Sequence, residues 1–271
     1  MRNITKAALS AAALTIGLTT RVHAQIGINS LAADAQGNRV YTQNFDALLS
    51  SGTSNPLSVI PGLVSNETTY RASTGTSTTG ALYSFGVAGT NAATDRALGS
   101  LASGTTNSIF YGFQFTNDTG TTIGSLTISY TGEQWRRGGN TTAPNPPERL
   151  QLSYAVNPTN VSTGTYTTVS ALDFNSPQYG AAGALDGNAP ANRTSIAATT
   201  FNITDGLADG QTLIVRFTDI DNAGNDNALA VDDLNITFAA VPEPTTLALI
   251  GAGVLPLAGV VRRRRKASVA A

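Results

Sequence analysis

The 271-residue chain contains no cysteine and a single histidine, tryptophan and methionine. Without cysteine there is no disulfide framework, no thiolate zinc site and no thiol nucleophile. The lone His23 falls inside what reads below as a cleavable leader, so the mature protein has no imidazole. Ser-His-Asp triads, histidine general bases and histidine metal sites are thereby excluded together. Charge is also scarce at 12% of residues, and lysine occurs only at Lys6 and Lys266. A 41% hydrophobic share still suffices for a packed core and argues against wholesale disorder.

The charges are segregated. Residues 25–241 hold eight arginines against sixteen Asp and Glu, whereas Arg2, Lys6, Arg21 and the run Arg262, Arg263, Arg264, Arg265, Lys266 lie at the two ends. An acidic body repels phosphate backbones, so nucleic acid is not an expected partner.

Both ends read as addresses. Arg2 and Lys6 precede an apolar stretch, Ala7 to Leu18, and Val22-His23-Ala24 offers small residues at the cleavage-defining positions. This predicts a signal peptide over 1–24, read by the Sec export machinery and cut between Ala24 and Gln25. Thr245 to Val261 is an uncharged run of 17 residues, at the short limit for a transmembrane helix. The cations at 262–266 then act as a stop-transfer signal and hold the C-terminus in the cytoplasm. The expected organisation is a leader (1–24), an exported body (25–241) and a tail (242–271).

Directly before the span stands Val241-Pro242-Glu243-Pro244. This motif, the short apolar span and the arginine cluster together resemble the PEP-CTERM sorting signal of Gram-negative bacteria. The resemblance implies processing by an exosortase at Pro242, Glu243 and Pro244. It implies transient anchoring in the inner membrane, then a place at the cell surface alongside exopolysaccharide and biofilm matrix. The same tail accompanies some proteins named for ice binding, a name that carries no activity with it.

The body reads as all-β. Apolar residues alternate along IFYGFQF (109–115), SLTISY (125–130), RLQLSYAV (149–156), TLIVRFT (212–218) and LNITF (234–238). Period two gives one buried and one wet face per strand, which suits a two-sheet antiparallel sandwich or jelly roll. No period of 20–50 residues recurs, which excludes solenoids and propellers. The segments QNFDAL (43–48), RALGSL (96–101), YTGEQWRRGGN (130–140), ALDFNSP (171–177), GALDGN (183–188) and 219–238 resemble a concanavalin-like jelly-roll module of secreted bacterial proteins. That likeness implies fold and location rather than a defined activity.

Three constellations are candidates for chemistry. Asp219, Asp221, Asn222, Asn225, Asp226 and Asn227, followed by Asp232 and Asp233, offer oxygen ligands around Gly224, the donor type that Ca²⁺ takes. The spacing is not that of an EF-hand, and the competing reading is a hairpin loop whose Asx side chains cap the backbone. Asp232 and Asp233 are expected on opposite faces of a strand. Trp135 with Glu133, Arg136 and Arg137 is either an exposed sugar platform or a core tryptophan flanked by snorkelling arginines. Glu133 and Glu148 are the one carboxylate pair to consider for glycoside hydrolysis, and they lack the glutamate-x-aspartate-x-glutamate strand of concanavalin-like glucanases. The leading reading is therefore a non-enzymatic, exported surface protein that contributes to or binds extracellular polysaccharide. Its rivals are a carboxylate- or metal-dependent secreted hydrolase and a purely structural coat component.

Overall fold

The computed structural model describes residues 25–87 and 95–241. The expected leader with Ala24, the motif Pro242-Glu243-Pro244, the apolar span 245–261 and the basic run Arg262 to Lys266 lie outside the described residues. Among the described residues no helix is long and apolar enough to cross a membrane.

The longer strands are β1 (Arg39–Gln43), β2 (Leu63–Ser65), β3 (Thr69–Ser73), β4 (Ala81–Phe85), β5 (Ala97–Leu101) and β6 (Ile109–Thr116). They continue with β7 (Ile123–Arg137), β8 (Arg149–Val156), β9 (Arg193–Leu207), β10 (Thr212–Asp219) and β11 (Ala228–Ala240). Among the described residues the strands form two sheets: one runs β2–β6–β10–β8, and the two-residue strands on its flanks bring it to seven. The other, ten-stranded, is centred on β7 and β11. On one side of β7 lies β9; β11 carries β1 along its second half and β5 along its first, and β4 and β3 follow β5. Most pairings are antiparallel, so the expected two-sheet sandwich is the fold of this chain.

Alternation in the sequence becomes aligned rows across each sheet. Tyr111, Phe217 and Leu152 stand side by side in the first sheet, and Ile128, Ile236 and Tyr41 in the second. The two rows of faces then meet. Tyr41 contacts the rings of Phe113 and Phe115 at 5.4 and 5.2 Å, Phe115 meets Phe238 at 4.9 Å, and Tyr130 meets Phe217 at 5.3 Å. These edge-on and tilted contacts tie sheet to sheet through the interior.

The ten-stranded sheet is also buried on its outer side at one end. Ala81, Tyr83, Phe85, Ala97, Leu101, Trp135, Ala228 and Ala230 form a second apolar cluster there. Strands β4 and β5 are consequently buried at every position. A strand covered on both faces loses its period-two signature, which is why ALYSF and ALGSL carry no alternation. Strand β11 makes a bulge at Asp232–Asp233, where Asp233 takes a positive φ of 49°. The bulge leaves Asp233 exposed and Asp232 buried, in keeping with the opposite-face expectation.

Candidate functional site

At one end of the sandwich the turn after β5, the end of β7 and the loop between β10 and β11 enclose a cleft of about 250 Å³. Thr78, Ser103, Arg136, Asn225 and Asp226 give it hydrogen-bonding groups. Gly138 lets the loop close on β7, because a Cβ there would overlap the Asn225 carbonyl.

Side chains from three segments hold the loop. The Asn227 N–H donates to Glu148 Oε2 at 2.6 Å, and the Asn140 amide donates to Glu148 Oε1 at 2.9 Å. Asn227 Oδ1 accepts from the Gly138 N–H, and its Nδ2 donates to Ser176 Oγ, each at 2.7 Å. Both oxygens of Glu148 are thus engaged in fixing the loop. That positioning role for Glu148 and Asn227 was not legible in the sequence, because the two lie 79 residues apart, and Asn227 lies 89 and 51 residues from its partners at 138 and 176.

The acidic residues of the loop divide by environment. Asp219 is buried and accepts the Ala102 N–H at 3.0 Å; burial pushes its carboxyl up to about 7. Asp226 accepts the Asn222 N–H at 3.0 Å, and burial pushes its carboxyl well above the usual carboxylate range, with Asp219 adding to the rise. Asn225 is exposed at the rim, and Asp221 is half-buried. Among the described residues, no three Asp, Glu or His side chains converge as a metal-holding group.

Trp135 resolves to the core reading and not to a sugar platform. It is 1% exposed, its ring lies parallel to Phe85 at 5.7 Å, and its Nε1–H donates to Glu133 Oε2 at 3.0 Å. A Cβ on Gly187 would overlap the indole, and the Leu185 N–H binds the Trp135 carbonyl, so the 185–187 segment seals the ring. A side chain with no open face cannot stack on a pyranose. Glu133, equally buried, acts as the acceptor for that indole and is not free to contact a glycan. Of the proposed glycan-binding trio only Arg136 reaches a cleft, where its guanidinium also donates to the Gly75 carbonyl at 3.2 Å. Glu133 and Glu148 sit in different polar clusters. Asp95, Arg193 and Asp233 act on the first, whereas Glu148 acts on Asp219 and Asp226.

The cluster around Glu133 makes stability depend on pH. Burial pushes Glu133 up to about 7 and Asp232 up to about 8, and Glu133, Asp233 and Asp95 add like-charge repulsion on Asp232. A carboxyl whose folded pKa exceeds its unfolded value binds protons more tightly in the folded state. Its stabilising effect is therefore lost as pH rises from about 4 to about 8. Asp232→Asn should raise the melting temperature at pH 8.5 by several degrees, on the order of 2 kcal/mol, and by much less at pH 4.5. Thermal melts at the two pH values check this; an equal shift at both, or a loss at pH 8.5, would contradict the assignment.

Residues 240–266 match the PEP-CTERM protein-sorting motif. No curated protein sequence matches the chain. Among solved structures, the CBM22-1 xylan-binding domain from Paenibacillus barcinonensis overlaps 79% of this chain and 99% of its own at 11% identity and a TM-score of 0.33. A CBM61 module in complex with β-1,4-galactotriose overlaps 52% of this chain and 70% of its own at 7% identity and a TM-score of 0.25. An arabinose-bound GH51 α-L-arabinofuranosidase overlaps 79% of this chain and 29% of its own at 11% identity, with a TM-score of 0.35.

Proposed function

We propose that this chain is an exported surface protein whose sandwich binds extracellular polysaccharide without cleaving it. The motif match at 240–266 carries the sorting half of this reading. In it, the Sec machinery exports the chain, the tail halts it in the inner membrane, and an exosortase-type enzyme processes it at Pro242-Glu243-Pro244. The released body then joins the matrix at the cell surface.

The cleft at the loop end supports the binding half. Arg136 brings a cation to it, Asp226 a buried carboxyl, and Thr78, Ser103 and Asn225 bring neutral donors and acceptors. Sugar hydroxyls pair well with such mixed groups, and a cleft of this size suits one pyranose unit of a chain. Among the described residues none that lines it is aromatic, so recognition would rest on hydrogen bonds. Turnover is not part of the reading: Glu133 is committed to the indole, and both oxygens of Glu148 are committed to the loop.

A glycan array probed with surface-extracted protein, with reducing-sugar release measured alongside, tests this. The expected result is selective retention without new reducing ends, weakened about tenfold or more by Arg136→Ala, equivalent to roughly 1.4 kcal/mol. Retention indifferent to Arg136→Ala would remove the cleft from the account. Release of reducing ends would replace binding with hydrolysis.

A further inference from the structure

Among the described residues, the loop between β10 and β11 holds a buried polar atom without a hydrogen-bond partner. Asp226 is 6% exposed, and while its Oδ1 takes the Asn222 N–H, its buried Oδ2 has no hydrogen-bond partner. The Asp221 side chain lies within hydrogen-bonding reach of Asp226. Ionised carboxylates only accept, so two of them in contact repel unless a proton or a cation sits between.

We infer that this loop binds Ca²⁺ between Asp221 and Asp226. The setting favours a dication. Asp219 and Glu148 add further acidic groups around Asp226, and its unpartnered Oδ2 is the oxygen free to take the cation. Arg136 lines the same cleft, with its guanidinium turned to the Gly75 carbonyl. A dication would neutralise both carboxylates at once. Ca²⁺ accepts six to eight oxygens in flexible geometry, so two carboxylates suffice if an amide, loop carbonyls and water complete the shell. Asn225 stands exposed at the rim, and Gly224, at φ 106°, bends the loop where it lines the same cleft. Asp219 stays behind as a support, with its Oδ2 on the Ala102 N–H.

Two carboxylates rather than three or four place the affinity in the range of extracellular modules, about 10⁻⁴–10⁻³ M. Mg²⁺, which demands tight octahedral geometry, should bind less well. The site does not depend on a glycan being present.

Calorimetry on the full chain in mild detergent should show one Ca²⁺ bound per chain in that range. Thermal melts in millimolar calcium against chelator should show a rise of about 5 °C. Asp226→Asn should abolish the rise while melting no lower than the unaltered chain in chelator, because it removes the buried repulsion. Asp221→Asn should weaken binding. The inference is overturned by no calcium heat up to millimolar concentration, or by a calcium response that persists unchanged in Asp226→Asn. An equal response to Mg²⁺ would also overturn it.

Discussion

Replacing Trp135 by alanine should unfold much of the domain at physiological temperature. The indole is fully buried, and truncating such a ring costs about 3–5 kcal/mol in lost burial and residual cavity. The change also strips Glu133 of its indole donor deep in the sheet, adding about 1–3 kcal/mol for an unsatisfied buried group. The combined loss is comparable with the whole stability of many domains, about 5–15 kcal/mol. For a body of this size the melting temperature should fall by more than about 10 °C. Trp135→Phe keeps most of the volume and the contact with Phe85, so its loss should be smaller. Circular-dichroism melts of the variants check both. A Trp135→Ala chain that melts like the original yet loses glycan retention would return the ring to the surface.

The sequence reading succeeded where burial is one-sided. Tyr111, Phe113 and Phe115 on β6 alternate with half-exposed Phe110 and Gln114 and the small Gly112, and their period names both the strand and its buried face; on β10, Leu213, Val215 and Phe217 keep the period beside half-exposed Arg216, although Ile214 is buried as well. It fell short where both faces are covered, as along β4 and β5, or where neither face is. Strand β9 is an edge strand, exposed along most of its length and rich in Thr and Ala, so it carries no apolar period to detect. The same limit governed the site. The Asp and Asn spacing at 219–227 marked the loop that closes the cleft, but its anchors, Glu148, Asn140 and Ser176, come from segments that only the fold brings near. Trp135 stood beside two arginines and a glutamate in sequence, a polar setting in one dimension. In the sheet its neighbours are Phe85, Tyr83 and the 185–187 segment, which close over the ring.

The largest effect on the protein's life in the cell is expected from the tail. In the proposed sorting step the processing enzyme reads Pro242-Glu243-Pro244, whose two prolines lack backbone N–H groups. Replacing Pro242, Glu243 and Pro244 by alanines should leave the sandwich stable, because its last strand ends at Ala240. It should nevertheless abolish processing, so that nearly all of the protein remains in the inner-membrane fraction. Mass spectrometry of the surface-extracted protein tests the account most directly. It should find a mature start near Gln25, no peptide beyond about Pro244, and no surface form of the triple-alanine variant. Surface protein that still carries residues 245–271, or unchanged processing of the variant, would contradict sorting by this tail.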